Sequence, residues 1–459
     1  MSVLFLHPDL GIGGAERAIV DAAMAAKHAG YDVEIVTNFH DINHAFEETV
    51  DGSLKVTPVC QWLPRSVMGH FLALCAYMKM ILASVWIVFA RRRLVDLVFV
   101  DQVSAPLLVL KLAGIKTIFF GHFPDLLLSS HDSWIRKVYR YPLDLFEEFS
   151  TGMADTLVVN SHFTGATFKQ TFSSLKNHKV YVLYPVPNTD NLVLPREVCE
   201  VSNTPYQPPN AEAALQSLQD VLGVRPKLMF LSINRYERKK NIRLAFESFA
   251  TLKGNWSKLV KDSPLSPSDV YIVHAGGYDV RVRENVEYFD ELKQLLEDLK
   301  ISEQAVLLRS VPSGTKSLLI AASSALIYTP AFEHFGIVPI EAMYLGRPVI
   351  AMDAGGPRET LVHCETGFLC PIPSSGTFDN VETASQIAEY MCKFINDPEL
   401  TTTMGKHCHA HVLQKFSTKA FQKKLCRIFK HTLSDYSYTL KLAGQLSMIS
   451  TGGVGKVIL

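Results

Sequence analysis

Residues 1–36, MSVLFLHPDLGIGGAERAIVDAAMAAKHAGYDVEIV, read as one βαβ unit. An apolar run at 3–6 meets a glycine cluster, a helical pattern follows over roughly 15–29, and 33–36 supplies a second strand. Short continuous apolar runs bounded by turn residues mark strands buried on both faces, and such strands belong to parallel sheets. In Gly11-Ile12-Gly13-Gly14-Ala15-Glu16-Arg17 the glycines stand where strand gives way to helix, so backbone amides and the positive helix end can face an anion. Glu16 occupies the place of the third glycine of the dinucleotide fingerprint, which argues against that motif. Taken alone, the loop reads equally as a tight turn or as a ligand loop.

A second parallel series begins near Lys227, with a buried strand at 228–233, a helix at 241–252 and further strand runs at 270–275, 305–309, 325–329 and 348–352. Between the two series, residues 185–226 are rich in Pro, Asn, Ser and Glu and read as a linker with an irregular insertion. The economical fold is α/β, with two Rossmann-like, doubly wound domains joined by a hinge. Boundaries are expected at 1–200 for the first domain, 201–226 for the linker, 227–415 for the second, and 416–459 for a helical tail that packs back on the first.

At 459 residues the chain is about three times the usual domain length. Lys plus Arg equals Asp plus Glu, 45 each, so no global charge argues for a nucleic-acid partner. The eight cysteines form no C-x-x-C pair, which argues against a zinc site or disulfide scaffold, and no D-x-D triplet offers paired carboxylates to a metal. With no basic n-region or adequate apolar h-region at the start, a chain retained in a reducing compartment is expected.

Residues 71–90, FLALCAYMKMILASVWIVFA, carry one charge, Lys79, and are followed by Arg91-Arg92-Arg93. Twenty helical residues span about 30 Å, the thickness of a bilayer core. Three readings compete: a buried core helix, a spanning helix with the arginines as flank, and a helix lying in one leaflet. The last is preferred, because a crossing here would cut the first βαβ unit from the rest. Phe71, Trp86, Arg91 and Arg92 are the residues expected at an acceptor or membrane surface.

Three loops carry chemistry. Ser232-Ile233-Asn234-Arg235-Tyr236-Glu237-Arg238-Lys239-Lys240-Asn241 concentrates cations at the carboxyl end of a strand, where open α/β sheets bind ligands; Arg235 and Lys240 suit a phosphate. Glu333-His334-Phe335-Gly336-Ile337-Val338-Pro339-Ile340-Glu341 sets two glutamates eight residues apart across a loop–helix junction, with Pro339 in the first turn. One carboxylate can accept from sugar hydroxyls and the other from a ribose diol. Gly355-Gly356 open another loop toward the same edge. His122, in Phe119-Phe120-Gly121-His122-Phe123-Pro124-Asp125, follows a hydrophobic strand; a structural and a functional histidine remain equally open at this point.

Together HPDLGIGGAERA, DQVSAPLL, FFGHFPDLLLS, TGMADTLVVNSHFT, SINRYERKKN and EHFGIVPIEAMYLGRPVIA closely resemble the eukaryotic α-1,3/1,6-mannosyltransferases of the dolichol-linked oligosaccharide pathway. Those are retaining GT-B glycosyltransferases with an E-x7-E motif, whose two Rossmann-like domains face each other across a cleft. The resemblance extends from residue 1 to about 430. It implies successive transfer of two mannoses from GDP-mannose, α-1,3 then α-1,6, to Man-GlcNAc2-diphosphodolichol at the cytosolic face of the endoplasmic reticulum membrane. No metal or other cofactor is implied, and no nucleic acid; other early mannosyltransferases of the pathway are expected partners. By analogy Arg235 and Lys240 hold the donor diphosphate, Glu341 the ribose, and Glu333 and His122 the transferred mannose. Gly13, Gly14, Gly336 and Ile337 would line the donor, and the acceptor would enter against the N-terminal domain. Rival readings are a transferase for a different lipid-linked acceptor and a non-catalytic scaffold subunit.

Overall fold

The computed structural model describes residues 1–66, 71–129, 133–195, 198, 208–261, 263–372 and 380–451. Cys199, residues 201–207 of the expected linker and residues 452–459 of the expected tail lie outside the described residues. The chain folds as two compact units, residues 1–185 with 418–459, and 186–417.

Unit 1 is built on a parallel sheet of β1 (Ser2–His7), β2 (Asp32–Thr37), β3 (Lys55–Pro58), β4 (Leu97–Asp101), β5 (Lys116–Gly121), β6 (Thr156–Val159) and β7 (Val180–Val182), in the order β3-β2-β1-β4-β5-β6-β7. All of β4 is buried, as is β1 beyond Ser2, because helices cover both faces. Gly121 ends β5 where the Phe168 ring crosses it; a Cβ there would come within 2.6 Å of the ring.

The apolar segment forms helix Leu72–Arg91, which crosses from β3 to β4. Met80, Ala83 and Ile87 pack into the core with strand residues such as Leu4, Val98 and Val100. Since β1 pairs with β4 from Val3↔Leu97 to Leu6↔Val100, the strands before and after this helix share one sheet. A bilayer crossing would tear that pairing apart, so the spanning reading is wrong. The fully buried reading fails too, because Leu72, Leu74, Met78 and Phe89 are exposed.

Helix Thr418–Thr451 returns to unit 1. Phe429, fully buried, meets the rings of Phe5 and Phe99 at 6.5 and 6.3 Å and lies edge-on to Tyr31 at 5.4 Å. Gln422 Nε2 donates to the Ala25 carbonyl at 3.1 Å, and the hydroxyls of Thr156 and Thr432 are 2.8 Å apart.

Unit 2 carries β8 (Leu228–Ile233), β9 (Val270–Gly276), β10 (Ala305–Arg309), β11 (Ala325–Tyr328), β12 (Val349–Met352) and β13 (Gly367–Cys370), all parallel, in the order β10-β9-β8-β11-β12-β13. The stretch read as an irregular insertion is helical at Ala211–Ser217 and Gln219–Leu222, with Asn210 Oδ1 accepting from the amides of Glu212 and Ala213 as an N-cap. Its Ala214, Leu218 and Leu222 are buried, so apolar spacing outweighed the loop-like composition around it.

Phe429→Ala is expected to remove about 3–5 kcal/mol from unit 1. Hydrogen exchange should quicken in peptides from β1 and β4 and stay unchanged in those from β8 and β11; unaltered exchange at β1 would show that the returning helix does not support the sheet.

Candidate active site

In each sheet the strand order reverses once, between β1 and β4 and between β8 and β11. Loops leaving neighbouring strands in opposite directions open a crevice at the strands' carboxyl ends.

In unit 2 that edge sorts the cations of the loop after β8. Arg238 turns to helix Arg283–Asp298, reaching Glu287 at 3.5 Å and also Glu291, while its N–H donates to Glu284 at 2.9 Å. Arg235 and Lys239 both pair with Glu237, at 3.0 and 3.1 Å, on largely exposed side chains. Lys240 is different: its side chain is 12% exposed and its ammonium sits on the Glu333 carboxylate. Thr329, just past β11, donates to the Lys240 carbonyl at 2.8 Å and so ties the two loops together.

The Glu333 loop is held from behind. Its carbonyl accepts the Gly356 N–H at 2.8 Å. A Cβ on Gly355, whose φ is +57°, would come within 2.5 Å of the Glu333 oxygen, and one on Gly356 within 2.1 Å of the Phe335 oxygen. Gly355-Gly356 therefore serve to close two loops on one another. Gly336, at φ +82°, caps helix Ile337–Tyr344, so Ile337 lies at the positive helix end. Glu341, buried inside that helix, accepts from Lys316 Nζ at 2.9 and 3.0 Å. Lys316 stands on helix Ser313–Ala322, away from every motif, and nothing in its local sequence signalled it.

In unit 1 the switch point gathers three residues from three strand ends. His7 Nδ1 and His122 Nε2 each donate to one oxygen of the Asp101 carboxylate, at 2.7 and 2.8 Å. Asp101 and His7 are fully buried; the His122 side chain is 22% exposed. Desolvation alone would lower His122, but the Asp101 charge and hydrogen bond, aided by Glu16, outweigh it and raise its pKa. Burial would raise Asp101, and the two histidines hold it down instead. Asp101 and His7 obey the same strand-end rule that singled out His122, so both were findable.

The loop after His122 is anchored to helix Trp134–Thr151. The Asp125 and Leu126 amides donate to the Glu147 carboxylate at 2.7 and 3.1 Å, and Arg140 reaches Asp125 at 2.8 Å. Burial pushes Glu147 up to about 7. Gly13 and Gly14 open helix Gly14–His28, with the Glu16 carboxylate folded against Gly13, where a Cβ would lie 2.3 Å from Oε2. The loop thus presents a carboxylate beside its amides.

Of the residues expected at a membrane or acceptor surface, Phe71 is exposed and meets the Tyr139 ring edge-on at 5.3 Å, and Arg92 is exposed. Trp86 and Arg91 depart from the expectation. The Arg91 guanidinium lies 4.9 Å over the Trp86 ring and 3.2 Å from Glu34, so an internal ion pair and ring contact turn both toward the domain. Sequence reading missed a second apolar surface. Trp134, Val138, Tyr141, Leu145 and Phe149 are exposed at helical spacing along Trp134–Thr151. The acids of that helix are turned to Arg140, to the 125–126 amides and to Ser173 and Ser174.

Residues 12–191 match the family model described as Glycosyltransferase Family 4, and residues 218–408 match Glycosyl transferases group 1. The chain is 41% identical over 438 residues to the α-1,3/1,6-mannosyltransferase ALG2 of Homo sapiens, covering 93% of this chain and 95% of that one. It is 39% identical over 432 residues to the Dictyostelium discoideum protein of that name, covering 94% and 98%. Among solved structures it resembles a glycosyltransferase from Rickettsia africae, with a TM-score of 0.66, 18% identity and coverage of 94% and 98%. It also resembles Anabaena Alr3699/HepE in complex with UDP, with a TM-score of 0.65, 19% identity and coverage of 94% and 100%. The paired parallel sheets are those of the GT-B fold, and at 39% and 41% identity to these relatives over nearly the whole of both chains, the chain belongs to the α-1,3/1,6-mannosyltransferase family.

Proposed function

We propose that the protein transfers two mannoses from GDP-mannose to Man-GlcNAc2-diphosphodolichol, α-1,3 and then α-1,6, with retention of configuration. The observation that carries the reading is the Lys240–Glu333 ion pair at the carboxyl ends of β8 and β11. When the donor binds, Lys240 exchanges the Glu333 carboxylate for the departing diphosphate, and Glu333 is released to accept from a mannose hydroxyl. Arg235, on its exposed side chain, joins Lys240 at the diphosphate, and the amide end of the helix opening at Ile337 adds a fixed positive pole. Preorganised cations and amides of this kind stabilise charge developing on a leaving group, so the reaction proceeds without a divalent metal. Glu341 takes the ribose, and its bond to Lys316 fixes the carboxylate for that purpose.

In unit 1 the raised pKa of His122 favours an imidazolium, which donates to the mannose while Asp101 holds the ring in place. The exposed apolar positions of helices Leu72–Arg91 and Trp134–Thr151 rest on the cytosolic leaflet of the endoplasmic reticulum, alongside other early mannosyltransferases.

Purified protein in liposomes with GDP-mannose and a lipid-diphosphate Man-GlcNAc2 acceptor should yield product heavier by two hexoses, with excess EDTA present. A different acceptor requirement, or activity that returns only with magnesium, contradicts the reading. Lys240→Ala should lower kcat by about 2.7–4 kcal/mol in transition-state terms, as for loss of one preorganised donor. Glu341→Ala should mainly raise the KM for GDP-mannose, because a ribose contact is made alike in ground and transition states.

The pH dependence follows from the Asp101–His122 pair. A raised histidine pKa keeps the imidazolium below that value and loses it as pH climbs through it, while a depressed Asp101 stays ionised until well into acid. Asp101→Asn removes the charge that raises His122, so the alkaline limb of kcat/KM should move to lower pH. An unmoved limb would assign it to another group.

A further inference from the structure

Unit 1 contains a cavity of about 570 Å³ whose lining includes His122, Phe123, Lys79, Arg65, Leu72 and Leu128. Lys79 is the only charged residue within 71–90, and it is only 7% exposed. It lines this cavity, and among the described residues no carboxylate pairs with it. The nearby charged group is Arg65, another cation, itself paired with Asp9 and stacked 5.4 Å over Phe39. Asp125, which also lines the space, is taken by Arg140 at 2.8 Å. The residue is enclosed while its ammonium has no counter-charge among the described residues, and burial followed by the neighbouring Arg65 charge lowers its pKa. An anionic ligand would offset both effects.

The lining is mixed. It combines His122 and the cations Lys79 and Arg65 with Leu72 and Leu128, which are 62% and 63% exposed. An amphiphile carrying a polar head, a phosphate and a hydrocarbon matches this combination of surfaces.

We propose that Lys79, with Arg65, binds the diphosphate of an isoprenoid-linked acceptor whose hydrocarbon leaves the cavity over Leu72 and Leu128. This rests on the reading of the protein as a lipid-linked oligosaccharide transferase and assigns the acceptor's charged joint to a residue inside the apolar helix.

The test uses Lys79→Met, which keeps the aliphatic stem, and Lys79→Arg, which restores the charge. Binding of farnesyl diphosphate is measured by calorimetry on the full chain with GDP saturating the donor site. Wild type and Lys79→Arg should bind, Lys79→Met should bind at least about tenfold more weakly, the scale of one charge-assisted contact, and farnesol should not show that difference. In turnover, Lys79→Met should raise the KM for the lipid-diphosphate acceptor and leave the KM for GDP-mannose unchanged. Its melting temperature should hold or rise, because the substitution keeps the buried stem and removes a cation that faces Arg65. Equal farnesyl diphosphate binding by wild type and Lys79→Met overturns the proposal. So does a loss confined to phosphatidylserine vesicles, which would make Lys79 a headgroup contact. Lys79-dependent binding without mannosyl transfer would sustain the pocket and sink the functional reading instead.

Discussion

A right-handed crossover between parallel strands places each new strand on a fixed side of the last, so a sheet that grows from its middle must change direction once. The cluster of Asp101 with its two histidines and the Lys240–Glu333 pair each lie beside such a reversal. β1 and β4 bring His7, Asp101 and the Gly13-Gly14 loop together with His122 from neighbouring β5; β8 and β11 bring Lys240 to Glu333. The strands themselves supply apolar side chains to both faces, and the charged groups of these clusters stand where the strands end.

That placement has an electrostatic cost that shapes the sites. Asp101 is fully buried and Glu341 nearly so, and a buried ion is tolerated only when hydrogen bonds and an opposite charge replace water. Asp101 is met by a histidine on each oxygen, Glu341 by both its bonds to Lys316, and Glu333 by Lys240. Such pairs add little to net stability against an apolar alternative, yet breaking one strands a charge. They hold the charged groups in fixed orientations.

Strand periodicity and the strand-end rule made much of this legible: β8 and β10 lie where their apolar runs put them, and the loops at Arg235, Glu333 and His122 lie at carboxyl ends. What was not legible depends on contacts between distant segments. Lys316 meets Glu341 across 25 positions of sequence, and Glu34 captures Arg91 across 57. The helices at Ala211–Ser217 and Gln219–Leu222 were hidden by the Pro- and Asn-rich residues around them, because composition was weighed over a window wider than either helix.

The two apolar helices show why composition alone misplaces a surface. Leu72–Arg91 is apolar all round, which suggests a bilayer, but its Met80, Ala83 and Ile87 are spent on the sheet and only part of its circumference remains for lipid. Trp134–Thr151 looks too charged for such a role until each acid is traced to an internal partner. Once Asp144, Glu147 and Glu148 are spent inside the domain, the exposed side is left with Trp134, Val138, Tyr141, Leu145 and Phe149, beside the cations Arg136 and Lys137. A helix is therefore classified by the charges its fold leaves unspent, and by that measure the helix with more charged residues offers the more continuous apolar stripe. Lys79 is the converse case, a charge inside the apolar helix for which the fold supplies no carboxylate partner among the described residues.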